Sequence, residues 1–452
     1  MATRNPQPNE VRISRVAGAS LVGTTIEFFD FFIFGTASAL IFNKVFFSAL
    51  DPLAGTLAAF ATFGVAFAAR PLGALLFGHF GDRLGRKTML VTSLLLMGIG
   101  TACVGLLPTY AQVGILAPIL LVLCRLIQGL ALGGEWGGAV LMAIEHAPPR
   151  RRAFYGSWPQ MGVPLGLVLA TSMFWLVQQL PEDQLMAWGW RIPFLASGLM
   201  VAVGLYIRLK IEDSPAFKAV QSEGKQERFP AITVLRTAGK GVIIGAMATA
   251  AGNVPFYLAT VYALKWGSDN GLERGTLLMA VCVASIVQAI TIPIVAMYCD
   301  RLGRRPVLLA GCIVTGSVAF PFFWLLQSGS TPAIYLAMFL ALPLGSAMVY
   351  APLAVFLPEI FPTQLRYSGS GMAYTLGALI FSAPVPFLAA ALVDKFDATW
   401  PLALCVVIAA AISFIGVALA RESRNDDINW STTAGNSDSN GASGTSKIEV
   451  TS

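Results

Sequence analysis

Uninterrupted apolar runs of about 20 residues recur from one end of the sequence to the other, and that is the length a helix needs to cross a hydrocarbon core of roughly 30 Å. No other feature narrows the fold as far. A backbone exposed to lipid has no water to bond and must satisfy its own N–H and C=O groups, so a chain made of such runs is expected to be all-α. The runs place spans at 17–43, 56–80, 88–107, 115–146, 153–177, 190–209, 238–265, 275–299, 306–327, 331–357, 367–394 and 398–420. Only 12% of the residues are charged, about half the share in a soluble protein.

The placement of charge sets an orientation. With both ends on the cytoplasmic side, the inner loops hold Arg83, Arg86, Lys87, Arg150, Arg151, Arg152, Arg301, Arg304, Arg305 and Arg366, and the outer loops hold Lys44, Arg191, Lys265, Arg274 and Lys395. Basic residues collect on the inner side of membrane proteins, and an even number of spans keeps this asymmetry intact. The net charge of +6 therefore reports topology. The basic residues form no stripe with interleaved aromatics, which argues against nucleic acid. The six cysteines stand singly in apolar runs, without the paired spacing of a metal site or a disulfide framework, and neither a metal nor a cofactor is expected. The opening polar stretch leads into a run too long for a signal peptide.

The chain repeats itself. Gly81-Asp82-Arg83-Leu84-Gly85-Arg86-Lys87 follows the second span, and Cys299-Asp300-Arg301-Leu302-Gly303-Arg304-Arg305 follows the eighth. Glu145, Pro148 and Arg152 after the fourth span recur at the same spacing as Glu359, Pro362 and Arg366 after the tenth. Aligning Asp82 with Asp300 also sets Arg70 on Gln288. Two motifs in matching order imply two pseudo-symmetric six-helix bundles, the arrangement of carriers whose halves rock about a central site. The expected organisation is a cytosolic N-terminal segment 1–16, a bundle 17–209, a polar cytosolic linker 210–237, a second bundle 238–420 and a disordered cytosolic tail 421–452 rich in Ser, Gly, Asn and Asp.

The loop motif, present in both halves, resembles that of the major facilitator superfamily, as does Arg125-x-x-Gln128-Gly129 in the fourth span. A narrower resemblance rests on Glu27-Phe28-Phe29-Asp30-Phe31, Arg70-Pro71-Leu72-Gly73, Gly133-Gly134-Glu135-Trp136-Gly137-Gly138-Ala139, Trp188-Gly189-Trp190-Arg191-Ile192-Pro193-Phe194, Asp213-Ser214-Pro215-Ala216-Phe217 and Phe361-Pro362-Thr363 with Arg366-Tyr367. Together these are similar to the metabolite:proton symporter family, whose members carry shikimate, 2-oxoglutarate, citrate, proline or betaine. Residues 139–142 and 156–160 are similar to the branch near the shikimate carriers. Phe29 stands where the family often has tyrosine. The resemblance implies a major facilitator fold of twelve transmembrane helices and a monomeric inner-membrane carrier driven by the proton gradient.

Ionisable residues at bilayer depth are expensive and mark function or pairing. Glu27 and Asp30 share one face of the first span and are expected to line a central cavity, a structural pairing being the other possibility. Arg70 and Arg125 are the basic residues placed deep in the spans. A planar guanidinium suits a carboxylate, so either one is a candidate substrate anchor, the alternative being a buried ion pair that fixes packing. The resemblance also ties Arg125 to proton coupling. Glu135 lies among closely spaced glycines, a partly desolvated setting suited to proton uptake. Glu27, Asp30 and Glu135 are candidate proton carriers in no fixed order. Asn253, Tyr257, Gln288 and Tyr350 are candidate substrate contacts in the second half.

At the inner face, a carboxylate at the end of a span can cap the positive N-terminus of another helix. By the resemblance, that helix is the eleventh for Asp82 and the fifth for Asp300. Arg83, Arg86, Glu145, Arg152, Arg301, Arg304, Glu359 and Arg366 complete an expected gate. The function expected is import of a small carboxylate or zwitterion, shikimate-like or dicarboxylate, by proton symport. The alternatives are a proton-independent uniporter or exchanger, or a membrane sensor of the same build. Nothing in the spacing offers a nucleophile and base pair or a phosphate loop, so no enzyme is expected.

Overall fold

The computed structural model describes residues 8–84, 86–133, 140–141, 143–144, 147–209, 230–362 and 365–423. The expectations for residues 1–7, 210–229 and 424–452, and those for Glu135 and Glu145, lie outside the described residues, as do the side chains of Asp82, Arg83 and Arg86.

Twelve principal helices account for nearly all of the described chain, which contains no strand. They are α1 (Pro8–Leu40), α2 (Pro52–Leu84), α3 (Arg86–Leu106), α4 (Leu116–Gly133), α5 (Arg152–Val177) and α6 (Arg191–Leu209). In the second half α7 runs as Pro230–Tyr257, a π-helical turn Leu258–Tyr262 and Ala263–Asp269, and is followed by α8 (Arg274–Leu302) and α9 (Arg304–Gln327). The next, α10, is Thr331–Phe339, a π-helical stretch Leu340–Ser346 and Ala347–Glu359; α11 is broken into Arg366–Phe381 and Val385–Phe396; α12 is Trp400–Leu419.

Ten of these helices are individually long and apolar enough to cross a membrane, and α6 with the preceding Glu182–Gly189, bent by 42°, makes an eleventh. In α3 the apolar stretch is the shorter Val91–Leu106. Large apolar side chains such as Leu199, Ile313 and Trp324 are more than 60% exposed, which suits a surface that faces lipid rather than water. Two boundaries differ from the sequence reading. Helix α1 is already helical at Pro8, well before the apolar run, and α7 at Pro230, inside the stretch read as linker, with a kink at Ala238 (φ −128°, ψ 18°). Apolar periodicity marks the membrane-embedded part of a helix and misses its polar extension.

The helices pair in a repeated pattern: α1 on α5, α2 on α4 and α3 on α6, then α7 on α11, α8 on α10 and α9 on α12. Between the two sets α5 lies along α8 extensively, and α2 meets α11 over a smaller area. The α2–α4 contact depends on glycine: a Cβ at Gly129 would fall 2.3 Å from the carbonyl oxygen of Ala66, and one at Gly133 2.1 Å from that of Arg70. Such close approach through small residues brings the backbones that carry Arg70 and Arg125 together. Away from the loop motifs, Arg191 donates from Nη1 to the carbonyls of Gly105 (2.8 Å) and Leu107 (2.6 Å), capping the end of α3, and its guanidinium lies 4.5 Å from the Trp190 ring centroid.

Candidate functional site

Arg125 on α4 is fully buried, and Arg70 on α2 and Asp30 on α1 are 5% and 1% exposed. Charges taken out of water to this extent must be compensated by their neighbours. For the arginines much of that compensation is aromatic. The Arg125 guanidinium lies 3.8 Å from the Phe34 centroid and 5.1 Å from that of Phe31, and Arg70 lies 4.3 Å from Phe67 and 4.9 Å from Phe31. A desolvated cation on a ring face gains about 2 kcal/mol. Phe31 thus touches both cations, and the phenylalanine-rich second half of α1 supplies rings that a hydropathy reading treats only as core.

Arg125 is further fixed by a buried chain of hydrogen bonds. Its Nη1 donates to Gln128 Oε1 at 2.7 Å, Gln128 Nε2 donates to Thr101 Oγ1 at 2.7 Å, and Thr101 donates to the carbonyl of Met97 at 2.9 Å. The Nε and Nη2 groups of both Arg70 and Arg125 have no hydrogen-bond partner among the described residues.

The sequence reading put Glu27 and Asp30 on the wall of a water-filled cavity. Asp30 instead is buried inside the first bundle, beside the hydroxyls of Thr101 on α3 and Ser197 on α6, with Glu27 near enough to interact with it electrostatically. The face of α1 that carries Asp30 packs toward α3 and α6, while Phe31, one residue on, turns to the arginines. Neither carboxyl oxygen of Asp30 makes a hydrogen bond among the described residues. Glu27 is likewise buried.

Residues of the second half close over the same place. The Tyr257 ring meets Phe31, Phe63 and Phe67 edge to face at centroid distances of 6.4, 5.9 and 5.7 Å, and Tyr257, Tyr374 and Tyr350 are all within electrostatic reach of Arg70. Tyr374 on α11 was not singled out in the sequence; nothing in its spacing marks it. Gln160 on α5 reaches across to donate to the Tyr350 carbonyl at 3.1 Å. One turn before Tyr257, Asn253 is buried and its Nδ2 lacks a partner among the described residues. Gln288 belongs to a separate polar cluster, donating weakly to Ser346 Oγ at 3.5 Å, which in turn donates to the Gly252 carbonyl at 3.2 Å. That cluster lies at the π-helical stretch of α10, a backbone irregularity that recurs at functional sites.

The expected gate residues fall into two groups. Asp300 accepts from the amides of Ala153 and Phe154, each at 3.0 Å, so it sits on the N-terminus of α5 and joins the two halves. Arg304 holds Glu359 through two bonds of 3.0 Å and approaches Asp300 at 3.9 Å. Arg366 is buried and donates from Nε to the Pro358 carbonyl at 3.1 Å. Arg152 opens α5 and its Nε is unpartnered among the described residues, whereas Arg301 is exposed. Glu422 and Ser423, read as the start of a free tail, join this cluster: Glu422 accepts from the amides of Arg304 (3.0 Å) and Arg305 (2.9 Å), and Ser423 donates to Glu359. A low-complexity composition gives no sign of such docking.

Comparison with known proteins agrees with this architecture. The family model described as Major Facilitator Superfamily matches residues 21–384. The chain is 40% identical over 423 residues to the inner membrane metabolite transport protein YhjE of Escherichia coli K12, covering 92% of this chain and 96% of the relative. It is 39% identical over 419 residues to the shikimate transporter of the same organism (91% and 95% covered), and 33% identical over 444 residues to the proline/betaine transporter of Salmonella typhimurium (94% and 86%). Among solved structures, the proton:xylose symporter XylE superposes with a TM-score of 0.71 at 18% identity, over 92% of this chain and 97% of XylE, a likeness of fold. With the family model spanning most of its helices and relatives of this similarity matching nearly end to end, the chain belongs to the Major Facilitator Superfamily and is a multi-pass membrane transporter, not an enzyme.

Proposed function

We propose that the protein imports a small carboxylate or zwitterionic metabolite by proton symport, alternating access between the two six-helix bundles, as a monomer with both termini in the cytoplasm. The observation that carries this reading is the combination, inside one bundle, of two buried guanidiniums with unfilled hydrogen-bonding edges and a buried carboxyl without a bonded partner. The arginines offer an anion site, and Asp30 offers a place for a proton. The chain Thr101–Gln128–Arg125 ends beside Asp30, where Thr101 lies next to its carboxyl. Coupling requires that both ligands favour the same conformational change, and a hydrogen-bond chain that runs from Arg125 to the neighbour of Asp30 is a physical means to that end. The names of the relatives, a shikimate transporter and a proline/betaine transporter, support the carboxylate and zwitterion classes.

The test is uptake by purified protein in proteoliposomes, inside buffered at neutral pH and outside made acid, with labelled shikimate, succinate, 2-oxoglutarate and proline as probes. Symport requires accumulation above the external concentration and its collapse on adding a protonophore. Uptake that only equilibrates and ignores the protonophore would replace symport with uniport or exchange; binding without translocation would leave a sensor.

A further inference from the structure

Both deep arginines present the same edge. In a guanidinium, Nε–H and Nη2–H lie side by side and form the fork that grips a carboxylate through two parallel bonds. At Arg70 and at Arg125 these are the two groups left without a partner among the described residues. Arg125 commits Nη1 to Gln128, and phenyl rings lie against both cations. An anion that bonds either cation in the plane of its guanidinium therefore has the unpartnered Nε–Nη2 edge to take.

The two guanidiniums share a neighbour. Both guanidiniums lie about a ring radius and a contact away from Phe31, at 4.9 and 5.1 Å from its centroid, and each is within electrostatic reach of the other and of Tyr257. Two like charges buried side by side repel, and no described carboxylate fills either fork. A ligand with one negative group would satisfy one fork and leave its neighbour open. A quaternary ammonium ligand without a second anionic group would add a third positive charge.

From this geometry we infer that the site takes a short dicarboxylate, with one carboxylate in the Arg70 fork and the other in the Arg125 fork. The inference rests on the reading of these arginines as a substrate site and narrows its substrate class. The phenylalanines and tyrosines around the forks would pack against the carbon chain between the carboxylates.

The experiment compares succinate and glutarate with their monomethyl esters, which keep the chain and remove one charge, and with glycine betaine. Binding is read by isothermal calorimetry on the purified protein in lipid nanodiscs. The expected result is that the better diacid binds at least about tenfold tighter than its own monoester, the loss expected when one charge-assisted pair is missing. Arg70→Lys and Arg125→Lys, which keep the charge but remove the fork, should each reduce that preference to near unity, with thermal unfolding confirming that the variants are folded. Equal affinity for diacid and monoester in the parent protein overturns the inference and leaves a monocarboxylate carrier standing. Tighter binding of glycine betaine than of any acid overturns it in favour of a zwitterion carrier. Absence of binding by every probe removes both the inference and the substrate-site reading beneath it.

Discussion

Glu359 holds Arg304 through both carboxylate oxygens, at 3.0 Å each, with the two side chains only 6% and 2% exposed. A buried pair of this kind adds little relative to an apolar replacement, but removing one partner strands the other charge and destabilises by about 3–5 kcal/mol. Glu359→Gln and Arg304→Met are therefore each expected to lower the thermal midpoint of the detergent-solubilised protein clearly. The double variant Arg304→Met/Glu359→Leu should recover most of the loss. If the single variants melt with the parent, the pair does not hold α9 to α10.

Asp300 does a different job, because its acceptors' partners are the amides of Ala153 and Phe154 at the start of α5. A carboxylate at a helix N-terminus satisfies donors that have no intrahelical acceptor, and replacing such a cap with alanine removes about 0.5–2 kcal/mol. Here the cap and the helix belong to different halves. Asp300→Ala is thus expected to shift the protein toward conformations in which this end is open, rather than to unfold it. Spin labels at the exposed positions Arg151 and Arg301 report the change: a longer-distance population should grow in the variant, and identical distance distributions would rule the capping role out.

Thr101, beside Asp30, accepts from the same Gln128 that accepts from Arg125. Asp30→Asn is expected to abolish proton-driven accumulation while leaving exchange of labelled for unlabelled substrate across the membrane within about tenfold of the parent, since substrate contacts are untouched. Thr101→Val keeps the volume but deletes the hydroxyl, and should weaken the dependence of uptake on the pH gradient more than it weakens substrate binding. Counterflow and gradient-driven uptake measured on the same proteoliposomes separate the two effects. Full accumulation by Asp30→Asn would show that the proton travels by another group.

The fold was legible because span length and hydropathy follow from the bilayer itself, and the twinned loop motifs gave the internal repeat. What the spacing of Glu27 and Asp30 left unresolved was which face of α1 meets the other half, since nearly every turn there carries a bulky apolar residue: Phe28, Phe29, Phe31, Phe32 and Phe34 are all buried. That is why Asp30 came out beside α3 and α6. Arg70 and Arg125 stood out as costly charges, yet the rings that shield them look in sequence like any other core. Docking of Glu422 depends on amides at the start of α9 and that of Ser423 on the Glu359 carboxylate, which no side-chain pattern in the tail announces.

At the end of the molecule away from the loop motifs, Glu182 bridges the halves: its carboxylate bonds Lys44 Nζ at 3.0 Å and Arg274 Nη1 at 3.3 Å, and Arg274 Nε is steadied by Ser268 at 3.0 Å. The hydrogen bond from Lys44, with the charges of Lys44 and Arg274, holds the Glu182 carboxyl below the usual carboxylate range despite partial burial. A depressed value means that the contribution is fully present above the ordinary carboxylate pKa and is lost only as the pH falls through the lowered one. Moderate acidification should therefore leave the bridge closed. Because the Glu182 side chain is 56% exposed, its strength is that of a surface pair, about 0–1 kcal/mol, and screening weakens it as salt rises. Glu182→Gln is expected to raise the population open at this end by no more than about fivefold, with the gap between variant and parent closing in high salt. Distance measurements between labels at Asp183 and Glu273, repeated at two salt concentrations, test this; a salt-independent difference would mean that the side chain acts through packing and not through charge.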